Sequence, residues 1–283
     1  MFRKILKIIG IIFLLLFTVS IVLFYRFSTP KSDQKIEKEF IKNNHPIFIS
    51  QQQFKNFNYR VITTQKEIDT TLPTLVFIHG SIGSALDFKQ YLLDAELNKK
   101  ANLISYDRIG YGIQQTGNVQ ESIAFETEML EDLIKNLNIK TTILIGYSYG
   151  GPIVLASKHN YKKIVLLAPA VYSKLEPMPW GLKLYKWKAT RWLLPAIWKA
   201  ASKEKLTHKE DLLKFENNWQ ENPSNIISIH GNEDWIVPFE NSLFLKEKFS
   251  PHQFDLVTLD EAGHGLVWSH FNEIKKIIAQ QLN

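Results

Sequence analysis

The chain has 283 residues, 45% of them hydrophobic and 22% charged, with 34 Lys and Arg against 28 Asp and Glu. That length suits one large α/β domain carrying an insertion, and the composition excludes a disordered or low-complexity chain. The absence of cysteine excludes disulfides, thiolate metal sites and a cysteine nucleophile, and a formal charge of +6 with no binding motif argues against a nucleic-acid partner.

The first element is an apolar helix. Ile8 through Tyr25 is eighteen residues without a charge. As a helix it is about 27 Å long, close to a hydrocarbon core of about 30 Å. A cleaved signal peptide would have an apolar region of about 7–15 residues ending at a small-x-small site. Here Val22-Leu23-Phe24-Tyr25-Arg26-Phe27 is bulky throughout. Residues 1–27 are therefore read as a retained single-pass transmembrane signal anchor. Arg3, Lys4 and Lys7 on one side nearly balance Arg26, Lys31, Lys35 and Lys38 on the other. The short basic N-terminus favours placing the rest of the chain outside the cytoplasm. Residues 28–45 are polar and read as a tether.

Beyond the tether, strands are expected near 46–50, 57–63, 74–79, 102–106, 142–147, 163–168, 226–230 and 254–259. Helices are expected near 85–97, 121–138, 151–160, 239–248 and 270–281. Continuous apolar strands between amphipathic helices imply a mostly parallel, doubly wound sheet covered on both faces. Sites in such sheets form at the carboxyl ends of the strands.

Four of those ends carry chemistry. Thr141-Thr142-Ile143-Leu144-Ile145 runs into Gly146-Tyr147-Ser148-Tyr149-Gly150, and a helix follows with Pro152 in its first turn. Strand, G-x-S-x-G, helix is the nucleophile elbow, a turn tight enough to require small residues two before and two after the serine. Thr74–Ile78 runs into His79-Gly80-Ser81-Ile82-Gly83-Ser84, a turn able to aim backbone N–H groups at one point. The N–H groups of Ser81 and Tyr149 are the candidate oxyanion donors, the second helped by its helix dipole. Ile226–His230 leads to Gly231-Asn232-Glu233-Asp234, and Phe254–Leu259 leads to Glu261-Ala262-Gly263-His264-Gly265.

These stretches, with Asp107-Arg108-Ile109-Gly110-Tyr111-Gly112 and Asp234-Trp235-Ile236-Val237-Pro238, resemble the α/β-hydrolase family from about residue 46 to the C-terminus. The resemblance is weakest between 171 and 222. It implies the family's fold and catalytic apparatus and says little about substrate, because the family includes esterases, lipases, thioesterases, carbon–carbon hydrolases and perhydrolases.

The chemistry assigns the roles. A serine hydroxyl needs a base to take its proton, histidine titrates near neutral pH, and the resulting imidazolium needs a carboxylate on its far nitrogen. Ser148 is the expected nucleophile, His264 the base and Asp234 its orienter. Among the other histidines, His45, His159, His208 and His252 are expected at the surface, His79 and His230 in structural hydrogen bonds, and His270 is a weak competitor of His264. Asp107 and Arg108 are expected to pin a turn. No metal or cofactor is expected.

Residues 171–222 lack sheet patterning and fit a helical cap, dividing the domain into 46–170 and 223–283. The cap holds five of the seven tryptophans, and nine Lys and Arg against three Glu between 171 and 210. Its tryptophans line an acyl pocket, touch a membrane, or form the cap's own core; Trp187 and Trp192 are the candidate pocket residues. The cap is expected to govern substrate choice rather than chemistry. The expected activity is that of a serine hydrolase, a carboxylesterase acting on an apolar small-molecule ester through an acyl-enzyme. A perhydrolase or a carbon–carbon hydrolase would use the same triad, and a non-catalytic tethered binding protein would not label with a serine probe.

Overall fold

The expected strands assemble into one eight-stranded sheet. They are β1 (Phe48–Phe54), β2 (Phe57–Thr63), β3 (Thr74–Ile78), β4 (Asn102–Tyr106), β5 (Thr142–Tyr147), β6 (Lys163–Leu167), β7 (Ile226–Gly231) and β8 (Phe254–Leu259). The computed structural model describes residues 2–282. The spatial order is β1-β2-β4-β3-β5-β6-β7-β8. β2 runs antiparallel to β1 and β4, and all other pairs are parallel.

The central strands are apolar on both faces because both faces are covered. Alternate side chains of a strand point to opposite sides. Leu75 and Phe77 of β3, Ile143 and Ile145 of β5, and Val165 and Leu167 of β6 belong to one core. Val76 and Ile78, Leu144, and Ile164 and Leu166 belong to the other.

Twelve helices are present among the described residues: α1 (Phe2–Phe27), α2 (Asp33–Lys42), α3 (Lys89–Leu92), α4 (Ala95–Lys100), α5 (Ile123–Ile134), α6 (Gly150–Ala156), α7 (Leu182–Lys186), α8 (Lys188–Arg191), α9 (Ala196–Leu212), α10 (Glu240–Lys248), α11 (Leu266–Ser269) and α12 (Phe271–Gln280). α2, α3, α4, α11 and α12 cover the first core, and α5, α6 and α10 the second. α1 is long and apolar enough to cross a membrane, and none of its residues is buried.

Two segments depart from the sequence expectation. The polar stretch 28–45, read as a tether, contains α2, which buries Ile36 and Phe40 in the first core. Apolar residues four apart give even a short, charged helix one face to bury. Arg60 fixes the start of this segment, donating to the Lys31 carbonyl at 2.8 Å and to Asp33 at 2.9 Å, while it pairs with buried Asp107 at 2.6 Å. The helix expected over 85–97 is broken into a 3₁₀ turn at Ala85–Phe88, then α3 and α4. Asp94 ends the run by capping α4, accepting from the N–H groups of Glu96 and Leu97.

The insertion between β6 and β7 holds α7, α8 and α9. Trp219 is its buried tryptophan, donating from Nε1 to the Val171 carbonyl at 3.1 Å.

Candidate active site

The turn after β5 is strained. Ser148 has φ +53°, in the left-handed region that side chains rarely adopt. The flanking glycines are required by contact. A Cβ on Gly146 would sit 2.5 Å from the Gly150 carbonyl oxygen, and one on Gly150 would collide with the Ile78 carbonyl. The elbow holds the serine nearly buried, at 8% exposure, with its carbonyl accepting from Gly151 and Ala170 N–H.

The loops after β7 and β8 bring the other two predicted residues to it. His264 Nδ1 lies 2.7 Å from Asp234 Oδ2, and Nε2 lies 3.0 Å from Ser148 Oγ. Asp234 Oδ1 is occupied by the N–H groups of Ile236 at 2.9 Å and Val237 at 2.8 Å. The Asp234 carboxyl is partly desolvated, which pushes its pKa up. Hydrogen bonds from His230 and His264 outweigh that and hold it well below the usual carboxylate range. An ionised acceptor on Nδ1 fixes the proton there and leaves the Nε2 lone pair facing the Ser148 hydroxyl. The His264 ring is stacked on Tyr147, with centroids 5.2 Å apart, and its carbonyl accepts from the Tyr147 hydroxyl at 2.9 Å. The competitor His270 bonds the neighbouring Ser269 hydroxyl instead.

The loop after β3 faces the elbow. A Cβ on Gly80 would be 2.8 Å from that of Ser148. His79 is buried, and burial drives its pKa well down, so the ring is neutral. Its Nε2 accepts the Arg108 N–H at 2.9 Å, which leaves Nδ1 to donate to the Gly80 carbonyl at 2.7 Å. Arg108 Nη1 donates to the same carbonyl at 3.3 Å. In a trans peptide the C=O and the next N–H point in opposite directions. Pinning the Gly80 oxygen inward therefore turns the Ser81 N–H outward. Among the described residues, neither that N–H nor that of Tyr149 bonds another group of the chain.

Arg108 does more than pin a turn. It is fully buried and pairs with Glu204 and, at 3.5 Å, with Glu126. Its guanidinium lies 4.3 Å above the Tyr149 ring. Glu204 comes from α9 in the insertion and is 1% exposed. It also accepts from the Ser81 hydroxyl, and from Tyr111 at 2.7 Å. Burial pushes the Glu126 carboxyl up to about 7, and its Oε2 has no hydrogen-bond partner among the described residues. One guanidinium thus serves two buried carboxyl groups, and burial favours the protonated form of Glu126.

Other expectations fare differently. Asp107 does pin a turn, accepting the Ala85 N–H at 2.9 Å. His79 and His230 are structural as expected, His230 bonding Ser242 and the Val237 carbonyl. His208, expected at the surface, is buried beside Tyr149, with ring centroids 4.6 Å apart, and bonds Glu176 at 2.7 Å. Trp187 and Trp192, the candidate pocket residues, lie largely in solvent. They are 64% and 68% exposed, because α7 and α8 are single turns on the outside of the insertion. Trp198 borders a cavity. The sequence held one signal for Glu204 and His208. Ala200, Glu204, His208 and Leu212 are each four apart, so they share the face of α9 that the two apolar residues bury.

Known proteins agree with this architecture. The chain is 24% identical over 217 residues to alpha/beta hydrolase domain-containing protein 17C of Xenopus laevis, an alignment covering 74% of this chain and 62% of that protein. The chain thus spans about six-tenths of that relative's length. The crystal structure of a membrane phospholipase A, a bacterial virulence factor, superimposes with a TM-score of 0.65 at 14% identity, covering 100% of this chain and 98% of that one. An esterase from Exiguobacterium antarcticum superimposes with a TM-score of 0.60 at 15% identity, over 79% of this chain and 96% of that one. A sequence model described as the alpha/beta hydrolase family matches residues 75–274, and with the sheet order and the elbow above it the chain belongs to that family.

Proposed function

We propose that the protein is a membrane-anchored serine hydrolase that cleaves a carboxylic ester through an acyl-enzyme. The observation that carries the reading is the hydrogen-bonded line from Asp234 through His264 to Ser148 on a strained elbow. His264 Nε2 takes the hydroxyl proton as Ser148 Oγ attacks the ester carbonyl. The oxyanion is received by the N–H groups of Ser81 and Tyr149. When the tetrahedral intermediate collapses, His264 gives the proton to the departing alkoxide, and the alcohol leaves. Water, deprotonated by the same nitrogen, then releases the acid and restores Ser148. Asp234 holds the ring in the required tautomer throughout.

In this reading α1 is the anchor, with the hydrolase domain outside the cytoplasm, residues 171–222 are a cap over the site, and the substrate is an apolar ester. The test is a fluorophosphonate label followed by peptide mapping, beside a series of p-nitrophenyl esters of rising acyl length. Label on Ser148, lost in Ser148→Ala together with ester turnover, is the expected result. Undiminished turnover in that variant overturns the reading.

A further inference from the structure

The foot of α1 is bonded to the insertion. The Tyr25 hydroxyl donates to the Trp192 carbonyl at 3.0 Å, and Trp198 Nε1 donates to the Ser28 hydroxyl at 2.9 Å. The Phe24 and Trp198 rings lie 5.3 Å apart. Tyr25 and Arg26 are where the apolar run of α1 ends. A bilayer spanned by α1 therefore meets its headgroups at this level, and α8, which Trp192 follows, lies at the same height.

The surface presented there is unusual for water. Trp180, Trp187 and Trp192 are 76%, 64% and 68% exposed, and Met178 and Leu184 are exposed beside them. No acidic residue occurs between Glu176 and Glu204, while Lys183, Lys186, Lys188 and Arg191 fall within that span. Among the described residues none of these three lysines forms an ion pair. Tryptophan prefers the boundary between headgroup and acyl chain, and basic clusters are drawn to anionic lipid. At the same foot lies a cavity of about 270 Å³, whose walls include Phe27, Pro30, Ile82, Leu86, Ile197 and Trp198. Ile82 adjoins Ser81, so the cavity leads from the end of α1 toward the loop that faces Ser148.

We propose that the α7–α8 face is a second membrane contact. It beds its tryptophans and lysines into the headgroup layer of an anionic bilayer that holds α1, and the cavity at the foot of α1 admits the acyl chain of a lipid ester from that bilayer. The proposal rests on the anchored-hydrolase reading and adds where the substrate comes from.

The native chain has no cysteine, so single reporters can be placed cleanly. Full-length Trp187→Cys, Trp192→Cys and Lys140→Cys are labelled with an environment-sensitive fluorophore and reconstituted in vesicles of phosphatidylcholine and phosphatidylglycerol. Lys140 is exposed just before β5, at the opposite end of that strand from Ser148. The labels at 187 and 192 should shift to shorter wavelength and be quenched at least threefold more by nitroxide-bearing lipid than the label at 140. The Trp187→Ser/Trp192→Ser double variant should lose at least threefold in turnover of a long-chain ester carried in the vesicles, with turnover of dissolved p-nitrophenyl acetate unchanged. Equal water exposure at all three positions, in a chain that resists carbonate extraction, overturns the second contact and leaves the anchor standing. A chain that carbonate removes overturns the anchor reading and the contact with it. Protection at 187 and 192 in lipid-free micelles that rises with protein concentration assigns the face to a second copy and also overturns the proposal.

Discussion

The loops after β5, β7 and β8 and the helical insertion between β6 and β7 both reach the Ser148 site, yet they contribute in opposite ways. The loops supply short-range pieces: a glycine-framed serine, an aspartate three residues past the end of its strand, and a histidine between two glycines. Each piece has a sequence pattern because local backbone geometry requires it. The insertion supplies Glu204, which acts through space on Arg108 and Ser81, about a hundred residues away in sequence. Only its helical spacing from Ala200 and Leu212 marks it. A site can be legible in its loops and opaque in what holds them.

The largest effects belong to the loops. Ser148→Ala should lower kcat by roughly 10⁴–10⁶ with the fold intact, and His264→Ala should cost about as much. Asp234→Asn should cost about 10⁴, since an amide no longer fixes the tautomer. Steady-state kinetics on a p-nitrophenyl ester, with a thermal melt of each variant, check all three. A His264→Ala enzyme with full activity would remove the loops from the chemistry.

If the insertion only selects substrate, Glu204 is replaceable; if it also positions the site, it is not. Glu204→Gln keeps the shape but weakens the hold on Ser81 and Arg108. Losing one aligned oxyanion donor costs about 10²–10³ in kcat, so misaligning the Ser81 N–H should cost roughly tenfold to a hundredfold, with KM for a short ester unchanged. Glu204→Ala should in addition lose about 3–5 kcal/mol of stability, because it strands a buried guanidinium. Denaturant melts separate the two effects.

Much of the fold was readable in advance because continuous apolar runs and strand–turn–helix punctuation are local. All eight strands were placed, β1 with its bounds displaced toward the C-terminus. Three features were not readable. α2 was hidden by its charge, since Ile36 and Phe40 are a thin apolar stripe in a ten-residue helix. Glu204 sits in Lys203-Glu204-Lys205 and looks like a solvated face, though its spacing from Ala200 and Leu212 placed it on the buried side. Trp187 and Trp192 are candidate pocket residues by their place mid-insertion, on an expected helix with cations nearby, but position in an insertion does not say which side of a single-turn helix faces the core.

A smaller effect tests the buried cluster from the core side. Glu126 has an ordinary pKa of 4.5 and is raised by burial to about 7. Between those values the folded chain binds more protons than the unfolded one, so this group lowers stability as pH rises from about 4.5 to 7. At one pKa unit per 1.36 kcal/mol the fall is at most about 3 kcal/mol. Glu126→Gln mimics the protonated form and should flatten the curve, gaining stability over the parent at pH 8 and matching it near pH 4. Parallel curves for the two chains would show that Arg108 keeps Glu126 ionised throughout.

The smallest effect belongs to the outer face of the insertion. Trp187 is mostly in water, and Lys186 and Lys188 on either side of it are exposed, so removing its side chain opens no cavity and strands no polar group. Substitutions at such positions fall within about 0.5 kcal/mol, and for a domain of this size that is a melting shift of at most about 2 °C. A tryptophan lining the acyl pocket behaves otherwise: each lost methylene contact changes relative kcat/KM by roughly 10–200-fold. In Trp187→Ala the ratio of kcat/KM between butyrate and acetate esters, both dissolved in water, should therefore stay within about twofold of the parent. A tenfold change in that ratio would return Trp187 to the substrate pocket, and would mean that the α7 turn closes over Ser148 when an acyl chain is bound.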